Sequence, residues 1–150
     1  MIDDDSIAQR AKIVCEAFSW VGTPYRHQAS AKGQGTDCLG LVRGVWRGLA
    51  GDEPEMPPPY TPNWVEVRAD DPLLAASRRH LNEKPHTALL PGDMLLFRMV
   101  QSGPAKHCGI YAGEGRFIHA YSGRAVTVSS FSSWWQKRLV GVFSFPILKG

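Results

Sequence analysis

The spacing of apolar residues changes near residue 88, and this change divides the chain into a helical part and a strand part. Before it, apolar residues recur every three or four positions, which predicts helices at 6–19, at 38–50 and after Asp70 or Asp71. After it, apolar runs alternate with closely spaced turn residues, which predicts an antiparallel sheet. The predicted strands are 94–100, 107–112, 117–121, 125–129 and 139–145. Helices followed by antiparallel strands define the α+β class.

The length and charge of the chain limit the number of domains and the kinds of partner. A chain of 150 residues that is 43% hydrophobic can bury one core, so we expect a single domain over 1–150. The net charge of +3 comes from scattered lysines and arginines, which predicts no nucleic-acid partner. No apolar stretch reaches membrane-spanning length, and the N-terminus is acidic, unlike a secretory signal. We therefore expect synthesis in the cytoplasm without a signal peptide, and no membrane insertion.

The chain has three cysteines, Cys15, Cys38 and Cys108. An odd number at wide spacing argues against a disulfide framework and leaves at least one free thiol. Cys15 lies near the apolar stripe of the first predicted helix and is expected in the core. Cys108 follows His107 on one predicted strand, so its side chain faces the opposite way and is also expected in the core.

A glycine-rich loop at 32–35 leads directly into Cys38 and an apolar run. Thr36 or Asp37 can cap the helix that follows, which places Cys38 in its first turn. Backbone N–H groups and the positive end of the helix dipole then favour thiolate over thiol, as a nucleophile requires. A cysteine before an apolar run is also a common core residue, so its position alone leaves both interpretations open.

A nucleophilic thiol needs a base, and two of the five histidines stand on consecutive predicted strands. His107 opens one strand and His119 lies near the end of the next, with a tight turn at 113–115 between them. In an antiparallel pair this spacing makes them neighbours at the same end of the sheet. His107 is then placed to take the thiol proton, and His119 to orient His107 through its ring nitrogen. The alternative is that each histidine ends a strand and meets solvent.

Several segments of the chain resemble, in order and spacing, the NlpC/P60 cysteine peptidases of the papain-like superfamily. They are Gly-Thr-Pro-Tyr at 22–25, the glycine loop, Asp-Cys-Leu-Gly-Leu-Val at 37–42, Pro-Gly-Asp-Met-Leu-Leu-Phe at 91–97, His-Cys-Gly-Ile-Tyr at 107–111 and Phe-Ile-His-Ala at 117–120. The resemblance implies the papain-like NlpC/P60 fold, with the nucleophile at the start of a helix packed on an antiparallel sheet. It also implies that Cys38 is the nucleophile, His107 the general base and acid, and His119 the third polar member.

Tyr25 matches a tyrosine that lies beside the nucleophile in this family. Its hydroxyl is predicted to bind the oxyanion together with the Cys38 backbone N–H, and Asp37 is grouped with it as an oxyanion-binding or substrate-binding residue. The other interpretation of Tyr25 is a packed aromatic ring with a solvated hydroxyl. Leu39 departs from the family pattern, in which a serine often follows the cysteine, so any substrate contact of that serine is missing.

The resemblance also implies an activity. Family members cleave peptidoglycan stem peptides, usually between γ-D-glutamate and a diamino acid, through a thioester acyl-enzyme and without a metal or cofactor. The alternatives are an N-acetylmuramoyl-L-alanine amidase, a catalytically idle tail-tip or adaptor protein, and a zinc site. A zinc site built from Cys38, Cys108 and the two histidines would lack a Cys-x-x-Cys spacing, and its adjacent strand residues face opposite ways.

Two features resemble the family members that are encoded with phage tails or gene-transfer particles. They are Asp-Cys-Leu-Gly at 37–40 and a Glu-Pro-Glu…Pro-Pro-Tyr segment at 53–60. The second belongs to a proline-rich stretch, 53–62, that predicts a stiff surface connection. In that setting a virion or particle tail carries the enzyme to the periplasm of the target cell. Tail or baseplate proteins are then the expected partners, and the peptidoglycan stem peptide is the expected substrate.

Overall fold

The computed structural model of the chain describes residues 4–54, 71–121 and 123–146. Its α-helices are α1 (Asp4–Phe18), α2 (Cys38–Ala50), α3 (Pro72–His80) and the single-turn α4 (Ser133–Gln136), and a 3₁₀ helix spans His86–Ala88. Its strands are β1 (Ser30–Ala31), β2 (Gly35–Thr36), β3 (Asn82–Lys84), β4 (Met94–Arg98), β5 (Ala105–Gly113), β6 (Arg116–Ala120), β7 (Val126–Ser130) and β8 (Leu139–Ser144). None of the described helices combines the length and apolar character needed to cross a bilayer. Most of the proline-rich stretch, from 55 onward, lies outside the described residues.

The main sheet has six strands in the order β3-β8-β4-β5-β6-β7, and each neighbouring pair is antiparallel. It contains the five predicted strands, with their ends shifted by no more than two residues. The edge strand β3 was not predicted, because Asn-Glu-Lys shows no apolar alternation. The α+β prediction of N-terminal helices on an antiparallel sheet is confirmed.

The first helix buries one side, which corrects the prediction for Cys15. Ile13 and Ala17 are four residues apart, lie on the same side of α1 and are fully buried. Cys15 lies roughly 200° around the helix from each of them, given 3.6 residues per turn. Its side chain is therefore exposed, and the expectation that it belongs to the core was wrong.

The sheet carries a buried apolar cluster on each of its two faces. One cluster joins the helices to Leu96, Ile110 and Ile118. The other is centred on Phe97 and Phe117, and aromatic side chains of the segment before β8 pack against it. The sheet is thus covered on both sides, and His107 on β5 and His119 on β6 are shielded from water.

A buried ionic cluster fixes the start of β4. Asp93 is fully buried, and its carboxylate accepts hydrogen bonds from Arg10 Nη1 at 2.7 Å, Lys84 Nζ at 2.8 Å and Leu90 N at 2.8 Å. A buried carboxylate needs such partners because its desolvation is costly. The cluster ties α1 and β3 to β4, and β4 sets the register of the strand that carries His107.

Candidate active site

Asp37 holds Cys38 at the N-terminus of α2. The backbone of Asp37 is extended, with φ −104° and ψ −173°, as in a typical N-cap, and Cys38 begins the helix. Asp37 Oδ1 accepts a hydrogen bond from Gly40 N at 2.7 Å, and Oδ2 accepts one from Gln28 N at 2.8 Å. Both oxygens of this buried carboxylate therefore bind the backbone around the cysteine. The predicted contact of Asp37 with oxyanion or substrate stays a prediction.

The structure brings the two histidines of β5 and β6 into contact. His107 Nε2 and His119 Nδ1 are 2.8 Å apart, and both side chains are buried. The second ring nitrogen of His119, Nε2, lies 2.8 Å from Ser129 Oγ on β7. Because Nε2 of His107 is engaged with His119, Nδ1 is the ring nitrogen left for the interaction with Cys38 that lowers the pKa of this thiol.

Hydrogen bonds and charge hold the pKa of Cys38 well below its usual value. The largest cause is a hydrogen bond from the Cys108 thiol, and a hydrogen bond with His107 and the charge of His107 act in the same direction. Burial and the negative charge of Asp37 oppose these effects and are outweighed. These interactions favour the thiolate of Cys38, the form in which cysteine is a nucleophile.

Cys108 is fully buried, which confirms the core prediction, but it also touches the nucleophile. Its Sγ donates a hydrogen bond to the Cys38 carbonyl oxygen at 3.3 Å. Its separate interaction with the Cys38 side chain, followed by burial, raises the pKa of the Cys108 thiol well above its usual value, so the thiol stays protonated and can donate. The contact could have been inferred from the sequence, because strand alternation places Cys108 on the same face of β5 as the apolar Ile110. That face packs against α2.

Burial keeps His119 neutral. Loss of solvation, followed by the charge of His107, lowers the pKa of His119 to about 3. The ring of Phe117 lies 4.3 Å from that of His119, and the ring of Trp135 lies 5.2 Å from His119 and 5.4 Å from His107. These aromatic side chains exclude water, and a neutral His119 can accept a hydrogen bond from His107.

Tyr25 lies beside the segment that leads into α2, where its backbone forms a parallel bridge with Thr36. Burial, followed by the negative charges of Cys38 and Asp37, raises the pKa of Tyr25 to about 12. The hydroxyl is therefore protonated at neutral pH and close enough to Cys38 to interact with its charge. A protonated hydroxyl in this place is a hydrogen-bond donor, as an oxyanion site requires.

Two residues of the site, Ser129 and Trp135, were not singled out from the sequence. The β6–β7 register pairs Phe117 with Ser129, which places the serine on the same face as His119. The register follows from the pairing of the whole β6–β7 hairpin, so the position of Ser129 beside His119 could not be predicted from the local sequence around the serine. Trp135 lies on the short helix α4, and no pattern in the sequence linked it to the histidines.

Ligands for a metal ion do not converge in the part of the chain that the structure describes. Within those ranges, no group of three or more His, Cys, Asp and Glu side chains is arranged to hold one. The facing nitrogens of His107 and His119 are hydrogen-bonded to each other, and the outer nitrogen of His119 to a serine.

A thiolate at a helix N-terminus, a histidine hydrogen-bonded to it and a second histidine behind the first form the arrangement typical of cysteine-dependent hydrolases. A family model described as "NlpC/P60 family" matches residues 22–144 of the chain. The chain belongs to the NlpC/P60 family.

Two curated relatives and one solved structure show the extent of the similarity. The chain is 31% identical over 137 residues to the "Gamma-DL-glutamyl hydrolase" of Bacillus subtilis (strain 168), a match that covers 91% of this chain and 29% of the relative. It is 31% identical over 126 residues to the "Murein DD-endopeptidase MepH" of Escherichia coli (strain K12), covering 81% and 40%. The NlpC/p60 domain of the peptidoglycan hydrolase SagA has the same fold, with a TM-score of 0.64, 24% identity and coverage of 91% and 98%. The chain thus spans less than half the length of these two curated relatives.

Proposed function

We propose that the chain is a cysteine peptidase that hydrolyses the stem peptides of peptidoglycan. The observation that carries the proposal is the hydrogen bond between His107 and His119, together with the interaction through which His107 lowers the pKa of Cys38 at the start of α2. The substrate class is supported by the relatives, since one is named as a murein endopeptidase and the similar structure as a peptidoglycan hydrolase.

In the proposed reaction, the Cys38 thiolate attacks the carbonyl carbon of the scissile amide and a C–S bond forms. The Cys38 backbone N–H and the Tyr25 hydroxyl donate hydrogen bonds to the oxygen as it becomes negative. Protonated His107 gives its proton to the leaving nitrogen, the C–N bond breaks and a thioester remains. Neutral His107 then takes a proton from water as the water attacks the thioester. The acid product and the thiolate are released, and His107 is again protonated.

We propose that the bond cleaved joins γ-D-glutamate to a diamino acid such as meso-diaminopimelate. The name of the Bacillus subtilis relative supports a γ-glutamyl bond, whereas the name of the Escherichia coli relative describes a DD bond. Digestion of purified Gram-negative peptidoglycan, followed by mass analysis of the fragments, identifies which bond is cleaved. Fragments that end at D-glutamate or begin at the diamino acid support the proposal. Whole stem peptides released from the lactyl group would instead identify an N-acetylmuramoyl-L-alanine amidase.

The blank for this digestion is the Cys38→Ala variant. Circular dichroism establishes that both proteins are folded before their products are compared. If the folded wild-type chain releases no more than the blank, the proposal fails and the idle tail-tip or adaptor protein takes its place.

The oxyanion role of Tyr25 predicts a large effect from the loss of one hydroxyl. We expect Tyr25→Phe to lower kcat about a hundredfold, since one oxyanion donor is worth about 10²–10³ in rate. Tyr111→Phe is the matched control, because the Tyr111 hydroxyl accepts a hydrogen bond from Gly115 N in the β5–β6 hairpin instead. Steady-state kinetics on a defined stem peptide measure both. Wild-type kcat in Tyr25→Phe would identify Tyr25 as a packed aromatic residue without a catalytic contact.

We further propose that a phage or gene-transfer-particle tail delivers the enzyme to the periplasm of the target cell. The motif at 37–40 and the proline-rich segment at 53–60 support this context, although the structure describes only the first two residues of that segment. Proteomic analysis of purified particles tests it. We expect the chain to co-purify with tail or baseplate proteins, and its absence from particles would contradict tail delivery.

A further inference from the structure

The donor and acceptor roles in the two hydrogen bonds of His119 depend on which of its nitrogens carries the proton. His119 is neutral, so one ring nitrogen is N–H and the other is an acceptor. Nδ1 lies 2.8 Å from His107 Nε2, and Nε2 lies 2.8 Å from Ser129 Oγ. A hydroxyl can donate or accept, so both tautomers of His119 can complete their hydrogen bonds.

Only one of these tautomers lets His107 work as a base. If His119 Nδ1 carries the proton, it donates to His107 Nε2, and the proton of neutral His107 must then lie on Nδ1. That is the ring nitrogen left for Cys38, and once it carries a proton it could not accept another from a thiol or from water. If His119 Nε2 carries the proton, His119 Nδ1 accepts from His107 Nε2–H, and His107 Nδ1 is an acceptor.

We propose that Ser129 is a positioning residue whose Oγ accepts the hydrogen bond of His119 Nε2–H and thereby stabilises the tautomer that keeps His107 a base. The same tautomer stabilises protonated His107, because each of its two N–H groups then has an acceptor. A stabilised imidazolium in turn favours the Cys38 thiolate. The role of Ser129 in turnover depends on the proposed function, whereas its effect on the reactivity of Cys38 requires no substrate.

Other ionisable groups lie close to His119 and to Cys38. Of the described residues, the titratable groups whose rings contact His119 are His107 and Tyr121, the latter at 5.7 Å. The groups whose interactions with Cys38 alter a pKa at the site are Cys108, His107, Asp37 and Tyr25. A substitution at Ser129 leaves all of these groups in place. A change in the titration of Cys38 would therefore be traced to the histidine pair.

Alkylation of Cys38 by iodoacetamide, followed across pH, tests the proposal without a substrate. Peptide mapping by mass spectrometry separates Cys38 from the exposed Cys15. For Ser129→Ala we expect the midpoint of alkylation to move to higher pH by about one pH unit, the equivalent of one hydrogen bond, so that the rate on the acidic side of the midpoint falls about tenfold. Ser129→Thr retains the hydroxyl and is expected to behave as the wild type. Ser130→Ala is the matched control, because Ser130 is exposed and its side chain points to the opposite face of β7.

Two further readouts separate positioning from a merely structural role. The nitrogen-15 chemical shifts of the His119 ring are expected to show the Nε2–H tautomer in the wild type and a mixture in Ser129→Ala. With a stem peptide as substrate, kcat should fall in Ser129→Ala at unchanged KM, and Ser129→Thr should restore it.

An Nδ1–H tautomer of His119 in the wild type would overturn the proposal, and so would an unchanged alkylation profile in folded Ser129→Ala. These outcomes differ from a failure of the proposed function. If the alkylation profile shifts as expected but the wild type cleaves no peptidoglycan, the positioning role of Ser129 stands and the proposed substrate is wrong.

Discussion

Replacing Cys38 by alanine is expected to abolish hydrolysis of peptidoglycan, because no acyl-enzyme can form without the sulfur. Removal of the nucleophile from a comparable catalytic group costs about 10⁶-fold in kcat. Cys38→Ser should be inactive as well, since His107 and the neighbouring Cys108 are arranged to stabilise a thiolate, and a serine hydroxyl is far less acidic. The measurement is the rate of fragment release from a defined muropeptide, followed by mass spectrometry.

The matched control for this substitution is Cys15→Ala. Cys15 is exposed on α1, so its loss should leave the rate and the fold unchanged. Hydrolysis by Cys38→Ala above the uncatalysed level would contradict the assignment of the nucleophile. An equal loss in both variants would point to a general effect of thiol removal.

Replacing Gly40 by alanine is expected to destabilise the protein and to move the nucleophile. A Cβ at residue 40 would lie 2.0 Å from the Ala29 carbonyl oxygen and 2.5 Å from Thr36 Oγ1, so backbone would have to shift. The same Ala29 carbonyl accepts a hydrogen bond from the N–H of Asp37, the cap of α2. Alanine is favoured over glycine inside a helix by about 1 kcal/mol, but overpacking of this kind costs about 1–3 kcal/mol or more. We expect the free energy of unfolding to fall by about 2 kcal/mol.

Gly48→Ala in the same helix provides the comparison. There a Cβ would meet the carboxylate end of Glu16, a flexible side chain that can give way. Urea unfolding should show unchanged or slightly increased stability for Gly48→Ala and a lower midpoint for Gly40→Ala. Alkylation of Cys38 should slow only in Gly40→Ala. Equal unfolding midpoints would contradict the importance of the close approach at residue 40.

The parts of the site that could be predicted are those determined by short sequence separations. The N-cap at Asp37 and the tight turn between the histidine strands are both local signals, and each leads to the observed placement of Cys38 or His107. The partner of His119 could not be predicted, because Ser129 reaches it through the register of a further hairpin. The exposure of Cys15 was missed because helical spacing defines a stripe only to within about one neighbouring position.

The sequence separations within the candidate site bear on how its reactivity arises during folding. The histidine pair spans 12 residues and the contact with Ser129 spans 10, so both close short loops within one antiparallel meander. The contact between Cys38 and Cys108 spans 70 residues and requires α2 to dock on the finished sheet. A nascent or misfolded chain therefore carries an ordinary thiol. The chain acquires its reactive cysteine only when this long-range contact between α2 and β5 has formed, so the reactivity of Cys38 reports on the packing of the helix against the sheet.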